Sequence, residues 1–320
     1  MVVRPRKNVL LVTGSSGLLG ANLAMEAPSE HQVVLLDQGH LAPPVSSPVL
    51  RCDLTERDRV IQCLDSVRPD VIVHCAAIVD VERCELEPES AERINVHAVA
   101  TLADWAGERG ARLVYISTDS VFDGEVGLYS EEDAPRPLNH YARTKLAGEN
   151  AARAQAPKAL IVRTNFHGWN LQEKLSLSEW VLRGLLHRER LTMFTDVRFS
   201  PLLVNDLARI ILDLVSLEAT GTYHVAARDD CSKHEFALLV GEVFGLKTDT
   251  LVPISVDNFP FKARRPKNTS LRVEKTSNFL GRAMPSVEEG LLSFKVLLDD
   301  GYVTTLKGHE PNWLLSAEVS

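Results

Sequence analysis

TGSSGLLG, residues 13–20, follows the apolar run NVLLV (8–12) and opens GLLGANLAMEA (17–27), whose apolar residues recur at helical spacing. Strand, glycine turn and helix in that order make a cradle for the phosphates of a dinucleotide. Gly14 permits the tight turn, Gly17 lets the backbone approach a pyrophosphate, and Gly20 lets the helix pack closely on the strand. Ser15, Ser16, Leu18 and Leu19 complete the expected cofactor loop. The helix N-terminus offers it unpaired N–H groups and a positive dipole end. A glycine-rich turn without a ligand is the plainer alternative, and the strand–turn–helix setting weighs against it.

Outward from this loop, HQVVLLD (31–37), PVLRCDL (48–54), DVIVHCAA (70–77), RLVYIST (112–118) and KALIVRT (158–164) read as further strands. Between them lie helical stretches: TERDRVIQCLDSV (55–67), two stretches ending in AERINVHAVATLADWAGERG (91–110) with Gly110 as a stop, and NHYARTKLAGENAARAQ (139–155). Continuously apolar strands separated by helices indicate a parallel sheet covered on both faces. Right-handed crossovers then give a doubly wound α/β (Rossmann) domain over residues 1–165, rejoined by about 198–227.

Residues 166–197 and 228–320 are expected to form a smaller C-terminal α/β substrate lobe. In it SLSEWVLRGLLHRE (176–189) is amphipathic. VNDLARIILDLVSLEATG (204–221) reads as a helix with Asn205 or Asp206 near its start and Gly221 after its end. TYHVAA (222–227) reads as a strand, and Ser232 with Glu235 forms a capping box before FALLVGEVFG. The tail from 250 reads as short elements with several prolines.

Composition sets the class. Of the 320 residues 45% are apolar and 24% charged, as in ordinary soluble domains. No apolar run reaches the length of a membrane span. The start, MVVRPRKNVLLVTG, lacks a signal-peptide pattern and reads as the first strand of a cytoplasmic protein. The five cysteines, odd in number and without C-x-x-C spacing, suggest reduced thiols rather than disulfides or a zinc site. A net charge of −8 argues against nucleic acid as a partner and means that an anionic substrate needs local basic groups. The expected partner is a small molecule, and a homodimer is left open.

Asp37 ends the second strand. A carboxylate there can accept from both ribose hydroxyls of an adenosine and repels a 2′-phosphate. Gln38, Gly39 and His40 follow, with no arginine, which favours NAD(H) and leaves NADP(H) open. A turn aspartate is the plainer use of such a residue.

Tyr141 stands four residues before Lys145, one helical turn away on the same face. Alone this is a common helical pair. With TGSSGLLG, ISTDSVFDG (116–124) and PLNHYARTKLAGE (137–149), the chain resembles an extended short-chain dehydrogenase/reductase, and within that group the dTDP-4-dehydrorhamnose reductases. The resemblance continues through CDL (52–54), HCAAIVDV (74–81), VRT (162–164), NDLA (205–208), GTYHVA (221–226) and RRPKNTSL (264–271).

The resemblance implies hydride reduction of a ketone, the 4-keto group of a nucleotide-activated deoxysugar. It places Asp53 and Leu54 beside the adenine, Ala76 and Ala77 along the cofactor, and Asn95 as a support of the active-site helix or of a water. Thr118, Tyr141, Lys145 and Asp119 become the catalytic set. Tyr141 is the proton donor, with Lys145 lowering its pKa and holding the nicotinamide ribose. Thr118 acts as a small oxyanion site, and Asp119 orients a substrate hydroxyl or joins the proton relay. Ser120, Phe122, Asn165, Phe166 and Arg265 are the expected substrate contacts. Ser120 stands where the family has tyrosine, and Phe166 where it often has tryptophan.

Lys262, Arg264, Arg265 and Lys267 form a basic loop suited to phosphates, or simply a solvated one. His140 and His167 read as local polar contacts, Trp169 as a site wall or a core residue, and no spacing supports a metal site. Alternatives are the same fold acting on another ketone or an imine, a sugar-nucleotide epimerase or dehydratase, and a non-catalytic nucleotide-binding subunit resembling the regulatory subunit of methionine adenosyltransferase.

Overall fold

The computed structural model describes residues 8–29, 31–39 and 41–315. The basic stretch 1–7 and His40 lie outside the described residues. The chain runs β1 (Val9–Thr13), α1 (Leu18–Glu26), β2 (Gln32–Asp37), β3 (Val49–Arg51), α2 (Arg57–Val67) and β4 (Val71–His74). It continues with α3 (Val81–Leu86), α4 (Pro88–Glu92), a π-helical turn (Arg93–His97), α5 (Ala98–Arg109), β5 (Arg112–Thr118), α6 (His140–Gln155) and β6 (Leu160–Thr164). Then come β7 (Phe166–His167), α7 (Leu177–Leu186), β8 (Leu191–Phe194), β9 (Arg198–Phe199), β10 (Leu202–Leu203), α8 (Val204–Ser216) and β11 (Gly221–His224). The last elements are β12 (Cys231–Ser232), α9 (Lys233–Phe244), β13 (Leu251–Ile254), α10 (Glu274–Leu280), α11 (Val287–Asp299) and α12 (Tyr302–Lys307), before a terminal turn of helix.

Seven strands form one parallel sheet in the order β11-β6-β5-β4-β1-β2-β3. The α/β doubly wound architecture is therefore as expected. The order reverses between β1 and β4, which opens a crevice at their C-terminal ends. β1, β4 and β6 are buried along their whole length, because helices cover both faces. One apolar cluster packs α1 and α8 on the first face, and another packs α2 and α5 on the second. A third gathers α7, α9, α11 and α12 around Trp169. Three two-stranded pairings, β10-β7, β12-β9 and β13-β8, lie outside the main sheet.

Several local readings shift. The third strand shrinks to three residues, because the chain turns at Asp53, whose carboxylate accepts from Thr55 N (2.9 Å). α8 begins at Val204, so neither Asn205 nor Asp206 caps it; Asn205 is buried and donates to Glu26 on α1 (2.9 Å). Among the described residues the tail holds four helices, α11 being thirteen residues long behind a capping box of Ser286 and Glu289.

Candidate active site

The glycine loop is fixed by its own backbone. Gly14 has φ +64°, and a Cβ there would stand 2.7 Å from the Ala76 backbone. A Cβ on Gly20 would stand 2.2 Å from Gly14 O, so only glycine lets α1 start this close to β1. Asp37 braces the loop: its carboxylate accepts from Ser16 N (2.8 Å) and Gly39 N (2.9 Å).

Two adjoining cavities run along the sheet's switch point. The first, about 580 Å³, is lined by Gly14, Ser16, Gly17, Asp37, Asp53, Leu54, Ala76 and Ala77. The second, about 570 Å³, is lined by Gly17, Leu18, Leu19, Gly20, Ala77, Thr118, Tyr141, Asn165 and Phe166. Gly14, Gly17, Cys75, Ala77, Ile78, Arg83 and Gln172 line both, so they form one groove long enough for a dinucleotide. The donor set fits a nicotinamide cofactor: a glycine cradle at a helix N-terminus, an acidic group at the end of β2 and small alanines opposite. Ser15 is the exception among the expected loop residues. Its hydroxyl is fully buried, without a partner, and lines neither cavity.

α6 presents the candidate chemistry. Asn139 caps it by accepting from Ala142 N (2.9 Å). Asn95, in the π-helical turn, donates to Thr144 Oγ1 (3.0 Å) and Ile78 O (3.0 Å) and accepts from Ile78 N (2.9 Å). It ties α6 to the loop after β4. The Thr118 hydroxyl stands beside the Tyr141 phenol, and both line the second cavity. Burial pushes the Tyr141 phenol up, while the Thr118 contact acts the other way.

Lys145 is buried against β5. Its ammonium donates to Ile116 O (2.6 Å) and lies over the Tyr115 ring (4.2 Å to the centroid). Burial pulls it down to about 7, with Glu149 acting against the shift.

Asp119 accepts from four side chains: Thr118 Oγ1 (3.1 Å), Ser120 Oγ (3.2 Å), Asn165 Nδ2 (2.9 Å) and Thr269 Oγ1 (2.7 Å). It thereby pins the end of β5 to the later part of the chain. Ser120, Asn165 and Arg265 line a third cavity of about 350 Å³ beside it.

Phe122 does not reach any of these spaces. It is fully buried, stacked on Tyr129 (4.2 Å between centroids) and beneath Arg163 (5.1 Å), where an apolar ring packs best. Trp169 is likewise a core residue, its indole N–H donating to Phe294 O (3.0 Å). His140 makes a local contact with Pro88 O (3.3 Å). His167 does not: both ring nitrogens are buried without partners between Phe236 and Phe294, and burial pulls its pKa down to about 3. Among the described residues no cluster of His, Cys, Asp or Glu is arranged for a metal.

Three contributors escaped the sequence reading. Glu149, buried in α6, accepts from Ser117 Oγ (2.6 Å), twice from Arg163 (2.9 and 2.8 Å) and from Arg153 (2.7 Å). The Arg in the otherwise apolar run LIVRT signals such a partner. Gln172 donates to Ser16 Oγ (3.3 Å) across the groove. Lys233 lines the third cavity. Nothing in their local sequence marks the last two.

Comparison with known proteins places this geometry. The family described as RmlD substrate binding domain matches residues 8–297. The chain is 31% identical to the probable low-salt glycan biosynthesis reductase Agl14 of Haloferax volcanii, over 90% of this chain and 98% of that one. It is 33% identical to methionine adenosyltransferase 2 subunit beta of Danio rerio, over 86% and 85%. The crystal structure of dTDP-4-dehydrorhamnose reductase from Bacillus anthracis in complex with NADP superposes with a TM-score of 0.82 at 32% identity, covering 91% of this chain and 99% of that one. On this match the chain belongs to the RmlD substrate binding domain family.

Proposed function

We propose that this protein is a nicotinamide-dependent reductase of the 4-keto group of a nucleotide-activated deoxysugar, working in the cytoplasm by short-chain dehydrogenase/reductase chemistry. One observation carries the reading: Thr118 and Tyr141 stand together in the cavity that the glycine loop also lines. The likeness to two reductases supports it.

When bound, the cofactor supplies the hydride. Tyr141 gives its phenolic proton to the oxygen on which negative charge develops. The Thr118 hydroxyl stands beside it as a second polar contact for that oxygen. Asp119, with both oxygens already accepting, is a positioning residue that holds Thr118, Asn165 and Thr269 together. Lys145 keeps β5 and α6 in register through Ile116 O. Asp37 faces the adenosine end and favours NADH, although the Bacillus anthracis relative holds NADP. Comparison of kcat/KM with the two cofactors tests this, and a strong NADPH preference would remove the Asp37 argument.

A cofactor-oxidation assay over several nucleotide 4-keto sugars and simple ketones tests the function. Turnover of a nucleotide 4-keto sugar is expected. A second reading, a non-catalytic subunit, is favoured by the 33% identity to methionine adenosyltransferase 2 subunit beta. No turnover on any ketone, together with co-purification of a catalytic partner subunit, would replace the first reading with the second.

A further inference from the structure

We propose that Gln172 grips the diphosphate of the nicotinamide cofactor from the side opposite the glycine loop, so that the dinucleotide is held by a strap as well as by its cradle. This rests on the nicotinamide-dependent reading above and names a residue from the later part of the chain that would bind the cofactor.

Gln172 stands at the junction of the groove. Asp37 and Asp53 line the first cavity alone, and Thr118 and Tyr141 the second alone. A dinucleotide with its adenosine at the first pair and its reacting ring at the second carries its diphosphate between them. Gly14 and Gly17, which line both cavities, put the cradle at that place. Of the residues common to both cavities, Arg83 and Gln172 have long polar side chains. Arg83 is engaged with Glu87 (3.0 Å), one turn on along α3. Gln172 instead reaches across the groove to the glycine loop.

Its present partner there is a weak one. The side-chain amide donates to Ser16 Oγ at 3.3 Å, a long contact between two neutral groups. A diphosphate oxygen is a charged acceptor and makes a stronger hydrogen bond. The amide therefore gains by leaving Ser16 for the cofactor.

The backbone of Gln172 is fixed while its side chain is free to make that exchange. It lies in the irregular segment between β7 and α7. Its N–H donates to Asn170 Oδ1 (3.2 Å), and its carbonyl accepts from Lys307 Nζ (3.2 Å) on α12. The Lys307 side chain is 4% exposed and stands 3.8 Å from the carboxylate of Glu179, which is buried in α7. Leu171, the preceding residue, is anchored in the third apolar cluster. A rotation of one side chain, without movement of the loop, moves the amide from hydroxyl to phosphate.

The test is calorimetric titration of the full chain with NADH or NADPH, whichever binds more tightly, and with ADP-ribose, with thermal unfolding as the control for folding. Gln172→Ala should weaken both ligands ~10-fold. Gln172→Glu should weaken them further, because its carboxylate repels the diphosphate. The Glu variant still offers an acceptor to the Ser16 hydroxyl, so a residue that merely ties the groove together would give the reverse order. That reverse order, or variants that bind like the wild type, would overturn the strap and leave the reductase reading standing. A loss confined to the whole dinucleotide, with ADP-ribose unaffected, would move the contact to the nicotinamide end and also overturn it. Loss of the folded state in both variants would make Gln172 a structural residue and overturn it as well. A wild-type protein that binds no nicotinamide dinucleotide would overturn both the strap and the reductase reading.

Discussion

Tyr141 and Phe differ by one oxygen, so Tyr141→Phe isolates the proton donor. The variant should lose ~10²–10⁴-fold in kcat with cofactor affinity retained. Near-normal turnover would take Tyr141 out of the role. Lys145 makes a different prediction. Its folded value of about 7 lies below the ordinary 10.5, so between these values the unfolded chain holds the extra proton. This group's contribution therefore makes stability rise with pH across that window, and its burial cost is fully present below it. Lys145→Met should gain more urea stability over the wild type at about pH 6 than at about pH 10. Equal gains at both would exclude the shift. Thr118 and Tyr141 were legible in the sequence because strand end and helix face follow from short-range pattern. Phe122 was misread because adjacency to a motif does not say which way a ring points, and the core claimed it. Lys233 was invisible because a lysine after a capping serine looks like a solvated charge; only the fold brings Phe199 and Asp119 to it.

At the level of elements, β6 and α6 are joined by a buried charge pair. Glu149 stays ionised because Arg163 and Ser117 hydrogen bonds outweigh the effect of burial. Arg163→Met leaves that carboxylate with Ser117 and Arg153 alone and should cost ~3–5 kcal/mol in urea unfolding, with much of it recovered in Arg163→Met/Glu149→Met. A cost under ~1 kcal/mol would mean the pair adds little. The strands and main helices of the first half were legible because buried parallel strands are continuously apolar. The π-helical turn that aims Asn95 was not, since its geometry is set by packing against α6 rather than by residue type. α11 was missed although Ser286 and Glu289 repeat the capping pattern that identified α9. Its exposed Leu292 and Val296 blur the apolar stripe.

Across the molecule, the walls of the groove come from distant parts of the chain. Gln172 meets Ser16, and Thr269 meets Asp119. A cofactor held there should stabilise the whole as one unit. At a hundredfold excess over Kd, about 2.7 kcal/mol should raise a single unfolding transition by roughly 4 °C. Two separated transitions, only one of them shifted, would show that the parts melt independently. One of these ties has a bearing on how the protein is made. Asn22, on the helix after the glycine loop, donates to Leu18 O (2.7 Å) and Trp169 O (2.9 Å) and accepts from Tyr302 Oη (2.7 Å). Lys307 on the same late helix donates to Gln172 O (3.2 Å). The seven-stranded sheet is complete once β11 has left the ribosome, but α1 waits for α12, some eighty residues later. During synthesis the nascent chain therefore passes through a stage with a finished sheet and an unfinished phosphate cradle, and its cradle is braced only after α12 has emerged.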